Sequence, residues 1–319
     1  MKKVVEHFGD KLIAAVKEKG NPICVGLDPR LDRIPKFILD QAMESSDGSP
    51  FAVAADALVA FNKGIIDAVA DLVPVVKPQI ACYEIFGAEG MRAYAETLHY
   101  ARSKGLITIA DAKRNDIGDT AMHYATAFLG EVDLFEDTEN EVVLPVFDAD
   151  SVTVNPYLGW DGIKPFCEEA DKYGRGIFAL VKTSNKSSGD FQDLEMKDGR
   201  ALYEIVGAFV DSWGSDYVGE SGYSLLGAVV GATYPDQAKI LRRIMPEAIF
   251  LVPGYGAQGG SADDIKYSFN SDGLGAIVNS SRGIIFAYET LKGFAPHEYA
   301  EAAREATLIM KKDLAKVIG

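Results

Sequence analysis

The sequence predicts one α/β domain, a closed (β/α)8 TIM barrel, and three observations predict it. Eight short apolar runs recur along the 319 residues, helix-like stretches separate them, and polar residues gather directly after the runs. Alternating strands and helices build a parallel sheet with helices outside it, and eight such units are what a barrel requires. Alternation alone does not prove closure, so a doubly wound open sheet is the structural alternative.

At the start of the chain, Val4, Val5, Phe8, Leu12, Ile13 and Val16 recur at helical spacing and Gly20 ends the pattern, which predicts an amphipathic covering helix. The apolar runs are Ile23–Leu27, Val73–Val76, Leu106–Ala110, Ser151–Val154, Ile177–Val181, Leu225–Val230, Ile249–Val252 and Ala276–Val278. They are rich in Val and Ile and mostly lack polar alternation, as strands buried on both faces should. Helix-like stretches lie between them at Ala52–Val69, Gly90–Lys104, Thr120–Phe128, Gly162–Tyr173, Arg200–Trp213, Asp236–Met245 and Ala262–Phe269, with a last one from about Pro296 to Ile318. Two segments exceed a minimal barrel: a polar loop at Asp40–Pro50 and an acidic insertion at Gly130–Asp150, both expected on the surface.

Bulk properties narrow the function. The chain can bury a large core at 48% hydrophobic composition; two domains are possible on length alone, but one barrel accounts for all of it. A net charge of −15 and a pI near 4.7 argue against a nucleic-acid partner, which needs a basic footprint. An anionic ligand would need a local cationic pocket set against that field. Cys24, Cys82 and Cys167 are widely spaced with no CxxC, which suits a reducing cytoplasm. Glu6, His7, Asp10 and Lys11 interrupt any leader-like apolar run, and no stretch is suited to span a membrane.

The residues directly after each run carry the informative pattern. The first run ends in Gly26-Leu27-Asp28-Pro29, the second in Lys77-Pro78-Gln79, the third in Asp111-Ala112-Lys113-Arg114-Asn115-Asp116 and the fourth in Asn155-Pro156. The fifth ends in Lys182-Thr183-Ser184-Asn185, the seventh in a loop from Pro253 to Gly260, and the eighth in Asn279-Ser280-Ser281-Arg282-Gly283. In a parallel barrel these converge on one rim, where barrel active sites lie. Asp111 and Lys113 are two apart on a strand and so share a face. With Lys77 and Asp116 they form an alternating row of two ammoniums and two carboxylates. At ~4 Å and an effective dielectric near ~20, each neighbouring pair interacts by roughly 4 kcal/mol. Such neighbours keep Lys113 protonated, a proton donor rather than a Schiff-base amine. A lone Asp-x-Lys would be read more simply as a salt bridge capping the barrel.

Gly254, Gly256, Gly259 and Gly260 predict a mobile loop with unshielded amides, and Arg282 comes just after the eighth run. Loops after strands seven and eight commonly hold phosphate in this architecture, and the arginine fork suits it. His7, His99, His123 and His297 show no metal-ligand spacing, and GxSxG, Walker and GxGxxG motifs are absent.

The stretch from Asp111 to Thr120, DAKRNDIGDT, resembles the signature of the orotidine 5'-phosphate decarboxylase family, in its longer type 2 form of bacteria and archaea. Gly26–Pro29, Lys77–Gln79, Asn155–Tyr157, Thr183–Asn185, Pro253–Gly260 and Ser280–Gly283 resemble further family motifs, in family order, over roughly residues 20–290. The resemblance implies conversion of OMP to UMP and CO2 in pyrimidine biosynthesis, with no metal and no cofactor. It implies that Lys113 protonates C6, Asp111 lies beside the departing carboxylate, and Lys77 bridges ribose and the charged row. Asp28 would bond the ribose. Ser184 would contact the pyrimidine, with Thr183 the alternative. Gln258, Ser281 and Arg282 would hold the phosphate side of the substrate. Asp116 and Thr120 would reach into the partner subunit's site of a homodimer. The acidic insertion departs from the minimal family pattern but lies outside every motif. Two other functions are weighed: a Mg2+-dependent sugar-phosphate decarboxylase or aldolase of the same barrel superfamily, and a non-catalytic nucleotide-binding barrel.

Overall fold

The computed structural model describes residues 5–46, 48–256 and 259–318. Val4, counted in the first helical pattern, lies outside them. Eight parallel strands close into a barrel: β1 (Ile23–Leu27), β2 (Val75–Pro78), β3 (Ile107–Arg114), β6 (Ser151–Val154), β7 (Gly176–Lys182), β8 (Leu226–Val230), β9 (Phe250–Val252) and β10 (Ala276–Ser280). Two more strands, β4 (Val132–Leu134) and β5 (Val142–Leu144), form a separate antiparallel pair. The order around the barrel is β1-β10-β9-β8-β7-β6-β3-β2, and pairing of Ile23 with Val278 and of Cys24 with Val75 closes it. The open-sheet alternative is thereby excluded. The apolar runs are almost wholly buried because each strand packs against the barrel interior on one face and against helices on the other.

The first helix, Phe8–Lys19, covers the N-terminal end of the barrel. His7 caps it by accepting from the Gly9 N–H at 3.1 Å, and Gly20 ends it with φ 63°. Phe8 sits edge-on to Phe178 with ring centroids 6.1 Å apart. A Cβ at Gly176 would lie 2.1 Å from the Phe8 ring, so only glycine lets this plug seat.

Two expectations change. The predicted polar loop at Asp40–Pro50 begins instead as the end of a helix, Lys36–Ser45, because Ile38 and Ala42 bury one turn apart. Pro50 then opens a 20-residue helix that Ser49 caps by accepting from the Ala52 N–H. The Gly130–Asp150 segment is a surface excursion for most of its length and carries the exposed β4–β5 pair. Its last residues turn inward: Phe147 stacks on Phe128 and Asp150 is buried. Among the described residues no helix is long and apolar enough to cross a membrane.

Asp150 ties the N-terminal ends of β3 and β6 together. Its carboxylate accepts from Lys11 Nζ at 2.5 Å and Arg175 Nη1 at 2.9 Å, and from the amide and hydroxyl of Thr108 at 3.0 and 3.1 Å. Burial opposes its charge, but these cations, with Arg102, hold its carboxyl below the ordinary value. A carboxyl with a depressed folded-state pKa stabilises above its unfolded pKa, near ~3.9, and loses that contribution as pH falls further. Asp150→Asn should therefore lower unfolding stability by about 3 kcal/mol at neutral pH. In urea titrations, the variant should also lose less stability than the parent between about pH 4 and pH 2. Equal acid sensitivity in both proteins would refute this assignment.

Candidate active site

The C-terminal strand ends surround a cleft of about 440 Å³. Of the residues selected from sequence, Asp28, Lys77, Asp111, Lys113, Ser184, Ser281 and Arg282 line it. Asp116 and Thr120 do not. Asp116 folds back onto its own segment, its Oδ1 accepting from the Ile117 N–H, and Thr120 lies exposed on the helix Gly118–Leu129. Within one chain the alternating charged row therefore has three members rather than four. Gln258 lies outside the described residues.

Asp111 is the centre of the row. It accepts from Lys113 Nζ at 2.6 Å and the Thr153 hydroxyl at 2.9 Å on one oxygen, and from Lys77 Nζ at 2.6 Å and Gln79 Nε2 at 2.9 Å on the other. Burial works against its charge, and the two ammoniums outweigh that and hold the carboxyl well below the usual carboxylate range. Burial likewise opposes the Lys77 charge, and Asp111 and Asp28 overcome it, raising Lys77 above the ordinary lysine value. Both groups are charged across the neutral range. Lys77 is enclosed, whereas the Lys113 side chain keeps 45% of its exposure and faces the cleft.

The route by which Asp111 and Lys113 come together differs from simple strand alternation. The β3–β6 register slips between Ala110 and Arg114, and Lys113 takes a left-handed φ of 49°. A non-glycine residue there carries strain that its surroundings must hold. Thr153 does so, accepting from the Lys113 N–H at 2.9 Å while donating to Asp111.

Beside Lys77 in the barrel order, the ends of β1 and β10 bring Asp28, Ser281 and Arg282 to the cleft. Asp28 Oδ1 and Ser281 Oγ are buried and bond no other group among the described residues. The glycine loop differs from expectation. Gly254, Gly256 and Gly259 have φ of 96°, 69° and 94°, but the amides of Gly256, Gly259 and Gly260 donate to carbonyls within the loop itself. They are not free for an anion.

Sequence reasoning passed over Gln79, Thr153 and Asn185 as site residues, all of which line the cleft, as does Thr183, the alternative to Ser184. Thr153 had a legible signal: with Ser151 it alternates with valine along the fourth run, and it is the one nearer the rim. The histidines serve elsewhere: His7 is a helix cap, and His99, His123 and His297 are exposed.

The family model described as orotidine 5'-phosphate decarboxylase / HUMPS family matches residues 21–292. A Rhodopirellula baltica protein named orotidine 5'-phosphate decarboxylase is 45% identical over 310 residues, covering 96% of this chain and 98% of that protein. A Caldicellulosiruptor saccharolyticus protein of the same name is 40% identical over 308 residues, covering 97% and 98%. The solved Leishmania donovani OMP decarboxylase superposes with a TM-score of 0.71 at 29% identity, over 98% of both chains. With a family match across nearly the whole barrel and relatives this similar over almost their full length, the chain belongs to the orotidine 5'-phosphate decarboxylase / HUMPS family.

Proposed function

We propose that this chain decarboxylates orotidine 5'-monophosphate to UMP and CO2. The observation that carries the proposal is the Lys77–Asp111–Lys113 row in a cleft whose lining also includes Arg282. Breaking the C6–carboxylate bond leaves an electron pair on C6. The ammonium of Lys113 stabilises that charge from a fixed position and then donates a proton to C6. Asp111, unable to take up a proton at neutral pH, fixes both lysines and lies beside the departing carboxylate. Asp28 accepts from a ribose hydroxyl, Ser184 meets the pyrimidine, and Arg282 with Ser281 and Gln258 engages the phosphate. Binding of the remote phosphate contributes to holding the reactive geometry. The reaction is assigned to the cytoplasm, which suits three free cysteines.

The site is completed by a second copy of the chain. Asp116 and Thr120 stand outside their own cleft on an exposed segment, beside Ile117, which is itself exposed. In a homodimer they would supply the fourth charge of the row and a further polar contact to the partner's cleft.

Three measurements test this. OMP decarboxylation, followed by the fall in ultraviolet absorbance, should proceed in EDTA; absence of turnover in folded protein would refute the activity, and loss on chelation would favour the Mg2+-dependent class. Lys113→Ala should lower kcat by at least about 10³-fold while UMP still binds, and Arg282→Ala should lower kcat/KM by about 10²-fold. An Arg282 variant as efficient as the parent would remove the phosphate assignment. Mixed Lys113→Ala and Asp116→Asn subunits should recover about a quarter of parental activity, because each mixed dimer holds one intact site. No recovery on mixing, with exchange verified, would place Asp116 in its own subunit's chemistry.

A further inference from the structure

One backbone amide fixes the hydrogen bonding of the segment that carries Ser184. The Thr183 N–H can only donate, and it lies 2.9 Å from one end of the Gln192 side-chain amide, so that end is the carbonyl oxygen. The other end is then the NH2 group, 2.8 Å from the Thr183 hydroxyl, which accepts from it. That hydroxyl has one proton, and apart from Gln192 it bonds only Asn185 among the described residues, at 2.7 Å. Its proton goes there, so the Asn185 atom it meets is Oδ1. The Asn185 NH2 group is left as the free end of a side chain that lines the cleft, and it donates to no other group among the described residues.

The relay is held rigidly at both sides. The Gln192 backbone donates to Ser188 O at 2.8 Å and accepts from the Tyr203 N–H at 2.9 Å. Its neighbour Asp193 takes the buried Lys182 ammonium at 2.6 Å. Across the segment, Thr233 and Tyr234 donate their hydroxyls to the carbonyls of Ser184 and Asn185 at 3.1 and 3.2 Å. A Cβ at Gly231 would stand 2.7 Å from Ser184 Cα, so the strand end approaches this segment as closely as glycine allows.

We propose that Gln192 is a positioning residue that, through Thr183, fixes Asn185 as a hydrogen-bond donor into the cleft, and that this donor selects a pyrimidine bearing a carbonyl rather than an amino group at the recognised edge. The inference rests on the cleft being a pyrimidine nucleotide site. A ring amino group would set donor against donor and leave both unpaired, which discriminates far more strongly than a difference in shape.

The test is the ratio of UMP to CMP affinity, by calorimetric titration, in the parent, Gln192→Glu and Asn185→Asp, with Tm measured alongside. The parent should favour UMP by about 10²-fold. Glu at 192 still accepts from the Thr183 N–H but cannot donate to its hydroxyl, which turns back to the carboxylate and releases Asn185; the ratio should fall about tenfold. Asn185→Asp, an acceptor on an exposed residue, should lower it at least as far and serves if the Gln192 variant fails to fold. A ratio equal to the parent's in folded Asn185→Asp, or in both variants, overturns the inference while leaving the cleft assignment intact. A parent that binds neither nucleotide overturns the cleft assignment and this inference with it.

Discussion

The site depends on one buried carboxylate held between two ammoniums. Without Lys77 and Lys113, Asp111 would carry the full penalty of an enclosed charge and would protonate instead. With them, and with Gln79 and Thr153 donating as well, four hydrogen bonds fix its two oxygens. Lys77, Lys113 and Arg282 set against Asp111 and Asp28 leave the cleft lining with one net positive charge. This is how a chain with a net charge of −15 can present a cationic cleft to an anionic ligand.

The barrel divides the work between strands and loops. The charged groups sit on strands, whose positions are set by pairing on both sides, so Asp111 and Lys77 have little freedom to drift. Groups assigned to recognition lie where the chain leaves the sheet, at Asp28, Ser184 and Ser281. Those positions need separate anchoring, and the segment after β7 obtains it from Gln192, Thr233 and Tyr234. The strained backbone at Lys113 lies where the two regimes meet: the β3 ladder has slipped, yet Thr153 still holds the residue to its neighbour strand.

The barrel and most of the charged row were legible because both rest on local signals. Apolar runs end abruptly in polar punctuation, and the Asp-x-Lys spacing announces the Asp111–Lys113 pair, although a slipped register and a left-handed Lys113, not strand alternation, bring the two together. What escaped is non-local. Gln192 lies in a stretch with no periodicity, and its role arises only because the chain folds back nine residues onto Thr183. The Lys36–Ser45 helix was hidden because only Ile38 and Ala42 of its ten residues are buried, too few for an apolar period to show. Asp150 read as the end of an acidic insertion, since nothing in its neighbourhood announces that Lys11, Arg102 and Arg175 converge on it from three other segments. Asp116 shows the converse: a residue adjacent in sequence to the row can stand outside the cleft of its own chain.

Asp150 and Asp111 make an instructive pair, because β3 and β6 join them at opposite ends of the same strand pairing. Each is a buried carboxylate with several cations and a threonine hydroxyl from the facing strand: Thr108 of β3 for Asp150 and Thr153 of β6 for Asp111. At the N-terminal end three cations converge on one enclosed acid whose side chain is 1% exposed, and none of them lines the cleft. The cluster at the C-terminal end is open, because one of its two ammoniums is nearly half exposed and directed at a cleft. The chemical difference between a structural ion cluster and a reactive one lies in that remainder. Both carboxylates are saturated, and Lys11 and Arg102 at Asp150 also keep some exposure, but only at Asp111 does the exposed cation line the cleft, where charge can develop in something other than the protein.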